Sequence, residues 1–216
     1  HGADVVIHCN RSVDEAEEVA AEITAMGRRA EIVSADQRDW EAVRTTGDHA
    51  WKMMDGIDVL VNNAAIFERT PIARTSEEDW DRLLDANLKG PFAWARFLGA
   101  RMKERGCGKI VNMADVGAER VWPGYIPYCV SKAGIIAMTE GLAKALAPAV
   151  QVNAIGPGVI LWPEDADDAH KEQVLQEVPL KREGAPEDIA RAVRFFIEND
   201  YLTGVFLPVD GGRILS

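Results

Sequence analysis

The sequence predicts a single α/β domain, residues 1–216, built on a doubly wound parallel sheet with helices on both faces. Short apolar segments of strand length alternate with longer amphipathic segments of helix length along the whole chain. No linker, repeat or low-complexity segment divides the 216 residues. Strict strand–helix alternation implies right-handed crossovers and a parallel sheet in three α/β/α layers. Such a sheet binds its ligand at the carboxyl ends of the strands.

The predicted strands are short and apolar, and they lie at 5–9, 30–34, 57–61, 109–113, 150–155 and 205–209. The predicted helices carry apolar residues at helical spacing, and they lie at 13–26, 40–54, 77–105, about 128–146, 168–177 and 186–198. We expect the segment 77–105 to form two pieces, because Gly90-Pro91 interrupts it.

Composition excludes several classes of partner. A formal net charge of -11 disfavours binding to nucleic acid or to an anionic membrane surface. No apolar run approaches the ~20 residues of a membrane span, and no secretory signal is visible at the start. The three cysteines, Cys9, Cys107 and Cys129, are scattered and lack metal-ligand spacing. These features predict a cytoplasmic protein without a metal site.

Tyr128 and Lys132 are four residues apart in a predicted helix and therefore project from the same face. An ammonium near a phenol favours the phenolate, so we expect a lowered pKa for Tyr128. Such a pair can protonate a substrate while a hydride arrives from a cofactor. The spacing alone is weak evidence, because an ordinary amphipathic helix can carry a tyrosine and a lysine four residues apart by chance.

Several motifs occur together in one order. They are Asn62-Asn63-Ala64-Ala65, Asn87, Tyr128 with Lys132, Pro157-Gly158, and Asp210-Gly211-Gly212. In this combination the chain resembles the short-chain dehydrogenase/reductase family over essentially its whole length. The resemblance implies a Rossmann-type fold, a nicotinamide cofactor and commonly a homotetramer.

The resemblance also assigns roles to single residues. Lys132 is expected to hold the nicotinamide ribose and to tune Tyr128, and Asn87 to kink its helix and hold a water in a proton relay. Asp36 is expected to bond the adenine amino group. The other residues expected to bind the cofactor are Asn63 and Ala64, which line the adenosine ribose, and Pro157 and Gly158.

The chain departs from the family at its start. The family opens with a strand and a glycine-rich turn that cradles the cofactor pyrophosphate, whereas this sequence begins just after that point. Without that central strand, the strands near Val5 and Ile32 would separate from the rest and leave long unpaired edges. We therefore expect a further N-terminal segment in the natural molecule.

Asp115 is the second departure, since the family usually has a serine at this position. A carboxylate there would repel the negative charge that develops on a ketone oxygen during reduction. It suits a substrate that offers N–H donors or a ring nitrogen that receives a proton. Asn112-Met113-Ala114-Asp115 resembles the pteridine reductase branch of the family.

Two aromatic residues agree with that branch. Phe67 falls where pteridine reductases place a phenylalanine that stacks on the pterin, which would add about 0.5–1.5 kcal/mol beyond area burial. Considered alone, Phe67 is equally compatible with a loop aromatic that closes the edge of the core. Trp162 follows Pro157-Gly158 and is expected to help wall the substrate pocket.

The segment after the strand 5–9 predicts the cofactor. An acidic residue there would bond the ribose hydroxyls of NADH, whereas an arginine accommodates the 2′-phosphate of NADPH. Here Arg11 and Ser12 follow the strand, and no acid occurs before Asp14. Arg11 can also be read as a surface residue, but a cation is poorly placed at a helix start. We predict NADPH.

The sequence as a whole predicts an NADPH-dependent reductase of a pterin, dihydropterin or folate-type ring, with Asp115, Tyr128, Lys132 and Asn87 in its catalytic group. Two alternatives stay open. One is a ketone or 3-oxoacyl reductase of the same family in which Asp115 is tolerated. The other is a non-catalytic dinucleotide-binding or scaffold protein.

Overall fold

A computed structural model describes residues 2–162 and 167–216. The strands in this part of the chain are β1 (Val5–Cys9), β2 (Ala30–Ser34), β3 (Val59–Asn62), β4 (Gly108–Met113), β5 (Val150–Pro157) and β6 (Phe206–Val209). The helices are α1 (Val13–Ala25), α2 (Trp40–Met53), α3 (Glu77–Leu84), α4 (Gly90–Arg105), α5 (Ile126–Leu146), α6 (Asp168–Glu177) and α7 (Pro186–Glu198). The predicted alternation is confirmed.

All the strand pairs of the described residues are parallel, and they fall into two groups. β1 pairs with β2, with Val5 opposite Ala30. The other four strands form one sheet in the order β3-β4-β5-β6. The separation of the β1–β2 pair from the other strands agrees with the expectation from the sequence.

The four-stranded sheet is buried on both faces. Ile110 of β4 packs with Met102 of α4 and Leu146 of α5 on one face. Its neighbour Val111 packs with Phe196 of α7 on the opposite face, because successive strand residues point to opposite sides. This arrangement confirms the three-layer α/β/α prediction.

The helical segment 77–105 is interrupted differently from the expectation. α3 continues into a π-helical turn, Asp85–Lys89, which leads directly into α4. Pro91 lies in the first turn of α4, where a missing N–H costs little. The wide turn that precedes Gly90, rather than Pro91 itself, therefore divides the helix, and it contains Asn87.

The strand ends position the predicted site residues. β3 ends at Asn62, one residue later than predicted, and β5 continues to Pro157. The segments that begin at Asn63, Ala114 and Gly158 consequently all leave the sheet at its carboxyl edge. Within the residues described above, no helix has both the length and the apolar character needed to cross a membrane.

Candidate active site

Asp115 and Tyr128 are in direct contact. Asp115 lies two residues beyond β4, and Tyr128 lies in the first turn of α5. The Tyr128 hydroxyl donates to Asp115 Oδ2 at 2.8 Å. Asp115 Oδ1 accepts the backbone N–H of Gly117 at 2.6 Å. The carboxylate is therefore held by the backbone on one side and by the phenol on the other.

Burial governs the protonation of this pair. It raises the pKa of the Asp115 carboxyl, against the opposing effects of the Gly117 and Tyr128 hydrogen bonds and the charge of Lys132. Burial also raises the pKa of Tyr128, and the Asp115 charge and hydrogen bond raise it further. The prediction that Lys132 lowers the pKa of Tyr128 is therefore wrong for this arrangement. The phenol stays protonated, and its hydroxyl donates a hydrogen bond to Asp115.

Lys132 lies beside Tyr128, as the four-residue spacing predicts. Its Nζ is 5.7 Å from the centre of the Tyr128 ring and donates to the carbonyl of Met113 at 2.8 Å. Burial lowers the pKa of Lys132 to about 8, while the Asp115 charge acts in the opposite direction. The ammonium has three donors, so two stay available for a ligand.

An aromatic wall, made of Phe67, Trp122 and Tyr125, adjoins the phenol. Phe67 stacks on Tyr125 with ring centres 4.7 Å apart and planes at 5°, and it meets the Tyr128 ring edge-on at 4.8 Å. Trp122 makes edge contacts with Phe67 at 6.5 Å and with Tyr125 at 6.0 Å. Phe67 is 49% exposed, so part of its surface is open beside the site.

Trp122 and Tyr125 were not among the site residues predicted from the sequence. Tyr125 comes three residues before Tyr128, a spacing that brings two side chains to neighbouring positions at a helix start, and this signal was available.

Trp162 has a different environment: it packs in the cluster of Val159 and Val174, and its indole N–H donates to Glu183. A role for Trp162 in the pocket wall stays a prediction.

Asn87 holds the main chain that precedes the aromatic wall. Its side chain is 1% exposed, with Oδ1 accepting the N–H of Ile66 and Nδ2 donating to the carbonyl of Ile66, both at 2.8 Å. Ile66 directly precedes Phe67, so the π-helical turn fixes the position of that ring. These bonds use one donor and one acceptor of the amide, and a water relay at Asn87 stays a prediction.

Arg11 and Ser12 lie at the start of α1. Ser12 occupies the N-cap position, but its hydroxyl makes no capping hydrogen bond. Arg11 is exposed, and its charge helps to lower the pKa of Asp36. The main cause of that lowered pKa is Arg38, whose Nη2 donates to Asp36 Oδ2 at 2.6 Å. Arg38 thus forms an ion pair with Asp36, an acid on which the Arg11 charge also acts.

Gln37 connects two of the predicted cofactor segments. Its Nε2 donates to the carbonyl of Ala64 at 3.1 Å and to that of Ala86 at 2.7 Å. The exposed residues Asn63 and Ala64 are thereby held next to the turn that carries Asp36. Gln37 was not selected from the sequence, because its role depends on contacts with segments far away along the chain.

Gly158 allows β5 to end against the last motif of the chain. Its N–H donates to the carbonyl of Val209 at 3.1 Å. A Cβ at this position would lie 2.6 Å from Cα of Asp210, which is closer than side chains tolerate. Pro157 and Gly158 therefore sit at the carboxyl edge of the sheet, where the resemblance assigns them to the cofactor.

The arrangement is suited to proton transfer. Tyr128 holds a proton in its hydrogen bond to Asp115, and the Lys132 ammonium lies 5.7 Å from the centre of the Tyr128 ring. In the described part of the chain, no three His, Cys, Asp or Glu side chains are grouped so as to hold a metal ion.

Comparison with known proteins identifies the family of the chain. The family model described as "Enoyl-(Acyl carrier protein) reductase" matches residues 1–213. The chain is 36% identical to the 3-oxoacyl-[acyl-carrier-protein] reductase of Synechocystis sp., an alignment that covers 99% of this chain and 88% of the relative.

Two solved structures have nearly the same fold. FolM alternative dihydrofolate reductase 1 from Brucella canis, complexed with NADP, superposes with a TM-score of 0.90 at 36% identity, over 100% of this chain and 86% of that one. A gluconate 5-dehydrogenase from Burkholderia cenocepacia, in complex with NADP and tartrate, gives 0.92 at 29% identity, over 100% and 87%. Sequence and fold agree, and the chain belongs to the short-chain dehydrogenase/reductase family of oxidoreductases.

Proposed function

We propose that this protein is an NADPH-dependent reductase of a pterin-type ring: a pterin, a dihydropterin or a folate. The observation that carries the proposal is the 2.8 Å hydrogen bond from Tyr128 to Asp115. A proton donor and a carboxylate acceptor are thereby presented side by side. The similarity to the Brucella canis dihydrofolate reductase supports the same substrate class.

The ring chemistry explains the preference. The amino group and the ring N–H of a pterin are hydrogen-bond donors, and the Asp115 carboxylate accepts. A ketone instead develops an oxyanion, which an adjacent carboxylate repels. Tyr128 would give its proton to a ring nitrogen, and Asp115 would hold the ring in place for this transfer. Phe67 would stack on the flat heterocycle from the side of the aromatic wall.

The residues at the start of α1 fit the 2′-phosphate of NADPH. Arg11 forms no ion pair within the described residues, Ser12 has an uncapped hydroxyl, and Asp36 is neutralised by Arg38. Arg11 offers a fork and Ser12 a hydroxyl to a phosphate. Both solved relatives named above were crystallised with NADP. When bound, NADPH supplies the hydride.

Other side chains would position the cofactor. Lys132 would direct its two remaining donors to the nicotinamide ribose. Asp36 would accept from the adenine amino group, while Asn63 and Ala64 would line the adenosine ribose. We also propose a homotetramer in the cytoplasm, a setting that agrees with the three free cysteines.

A 3-oxoacyl reductase is the second candidate. The observation that favours it is the 36% identity to the Synechocystis 3-oxoacyl-[acyl-carrier-protein] reductase over nearly the whole chain. In this alternative, Tyr128 donates its proton to a carbonyl oxygen and Asp115 has no part in choosing the substrate.

Replacing Asp115 by serine tests both candidates. The purified protein is assayed with NADPH and dihydrobiopterin, dihydrofolate or an acetoacetyl thioester. We expect the wild type to reduce the pterins, and Asp115→Ser to lose about 10- to 100-fold in kcat/KM for them, since hydrogen bonds to a charged group contribute about 1.5–3 kcal/mol. The same variant should gain turnover with the acetoacetyl thioester.

Tyr128→Phe is the matched control for the chemistry. It should lower kcat by about 10²–10⁴-fold, the usual contribution of a positioned acid, while NADPH affinity measured by fluorescence stays unchanged.

Wild-type turnover restricted to the thioester would contradict the pterin proposal. Absence of turnover with every substrate would instead support the non-catalytic alternative.

A further inference from the structure

Arg213 is a partly buried cation without an anionic partner in the part of the chain that the structure describes. Its guanidinium carbon lies 5.2 Å from the centre of the Trp122 ring. Its Nε is buried and has no hydrogen-bond partner within residues 2–162 and 167–216. Among the residues that the structure describes, Arg213 takes part in no salt bridge. Burial accordingly lowers the pKa of the Arg213 guanidinium.

The three described carboxylates whose charges act on the pKa of Arg213 have other hydrogen-bond partners. Asp210 accepts the backbone N–H groups of Gly212 at 2.9 Å and Ile214 at 2.6 Å. Glu177 accepts from Arg120 at 3.2 Å. Asp115 is held by a backbone N–H and by the Tyr128 hydroxyl, as described above. A desolvated cation whose neighbours are all used in this way is costly to maintain, unless a ligand supplies the missing anion.

The position of Arg213 connects it to the proposed pterin pocket. Trp122, the ring that Arg213 covers, packs directly on Gly117 beside the carboxylate of Asp115. A Cβ at Gly117 would lie 2.9 Å from the Trp122 ring and 3.0 Å from Asp115 Oδ1. The Arg213 charge also opposes the rise that burial causes in the pKa of Asp115. Arg213 therefore lies at the edge of the pocket, next to the aromatic wall.

We propose that Arg213 binds an anionic group on the tail of the substrate, and that this group is the glutamate carboxylate of a folate. The inference rests on the proposed function and narrows it to a preference for dihydrofolate over pterins with uncharged side chains. A planar guanidinium can grip a carboxylate with two parallel hydrogen bonds, and its stacking on Trp122 fixes its plane in advance. A phosphate on the carrier of an acyl thioester would offer the same negative charge.

Arg213→Gln tests the proposal with two substrates that share a ring. KM for dihydrofolate should rise about 10- to 100-fold, the loss expected when a charged hydrogen bond is removed. KM for dihydrobiopterin, whose side chain carries no charge, should change less than about threefold, and kcat with it should be retained. Arg213→Lys should recover part of the loss, because it keeps the charge without the fork.

Arg44→Gln is the control for a general change in charge, since Arg44 is an exposed residue of α2 that pairs with Glu41. It should leave both KM values unchanged. A direct readout without turnover is the affinity of NADPH-loaded protein for folic acid and for biopterin, measured by calorimetry. Only the folic acid affinity should fall in Arg213→Gln.

If Arg213→Gln raises KM equally for dihydrofolate and dihydrobiopterin, the inference is overturned and the proposed function stays intact. Arg213 would then only support the pocket. If the wild type reduces thioesters alone, the proposed function and the folate assignment both fail. Acetoacetyl-CoA and the uncharged N-acetylcysteamine thioester then decide the source of the anion. If Arg213→Gln raises KM for acetoacetyl-CoA only, the site binds phosphate. If KM rises equally for both thioesters, the anion site is overturned altogether.

Discussion

At the scale of single residues, the decisive contact is the one between Asp115 and Tyr128. The sequence predicts that these two side chains meet, because one follows a strand end and the other begins the neighbouring helix. The lowered pKa that the sequence predicts for Tyr128 is wrong. The protonation of Tyr128 depends on its burial and on the charge and hydrogen bond of Asp115, all of which raise the pKa of the phenol. The same limit explains why Arg213 was missed: its lack of partners is visible only in three dimensions.

The lowered pKa of Lys132 predicts an alkaline limit to activity. The folded enzyme loses the charge of Lys132 as the pH rises through about 8, well below the ordinary value of a lysine. Since the ammonium is the form that donates to the ribose, kcat/KM for dihydrobiopterin should be level below this pH and fall above it. A profile measured from about pH 6 to about pH 10 checks this, because kcat/KM reports the free enzyme.

Asp115→Asn gives the matched comparison for this profile. The Asp115 charge raises the pKa of Lys132, so its removal should move the alkaline limit of the residual activity to lower pH. A wild-type profile that stays level up to about pH 10 would contradict the role given to Lys132.

At the scale of elements, buried amides hold the strands and helices of the site in register. Asn62 of β3 donates to Asn112 Oδ1 of β4 at 2.8 Å, and Asn112 donates to Thr139 of α5 at 2.9 Å. This chain of bonds ties the helix that carries Tyr128 to the strand that precedes Asp115. The strand and helix limits could be predicted from apolar periodicity within one or two residues. The π-helical turn could not, because it is stabilised by bonds to Ile66, which is 21 residues away.

The link between Asn87 and Ile66 predicts a combined effect on stability and binding. Asn87→Leu would leave the N–H and the carbonyl of Ile66 without their partner, so the free energy of unfolding should fall by about 2–4 kcal/mol. KM for dihydropterin should rise as well, because Phe67 loses its anchor. Urea denaturation and steady-state kinetics measure the two effects.

Asn87→Asp separates the two bonds, since it keeps an acceptor for the N–H of Ile66 but removes the donor to its carbonyl. Its stability should lie between those of the wild type and Asn87→Leu. If Asn87→Leu unfolds at the same urea concentration as the wild type, the bonds to Ile66 contribute nothing.

At the scale of the whole molecule, the β1–β2 pair and the four-stranded sheet are joined through side chains and helix packing. His8 meets Trp94 of α4 edge-on at 4.8 Å, and α2 packs on α4 through Val43 and Leu98. Gln37 spans the two parts through its bonds to Ala64 and Ala86. The sequence predicts both groups of strands correctly, but the side chains that join them are polar or aromatic residues without a regular spacing.

Gln37→Leu should weaken both the fold and cofactor binding. Two carbonyls lose their donor, which predicts a decrease of about 1–3 kcal/mol in the free energy of unfolding. NADPH affinity should fall too, because Arg11 lies on one part of the molecule while Asn63 and Ala64 lie on the other. The control is Gln173→Leu at an exposed position of α6. Unchanged NADPH affinity in Gln37→Leu would show that the two parts hold their positions without this bridge.

The position of Trp122 gives the enzyme a built-in optical reporter. The indole touches Phe67, Tyr125 and Arg213 at once, so a heterocycle that enters beside it would change its surroundings and quench its emission. Replacing Trp122 with phenylalanine and comparing the two titrations would isolate the signal of this indole from those of the other five tryptophans. Substrate arrival can then be timed by stopped-flow fluorescence, separately from the later consumption of NADPH.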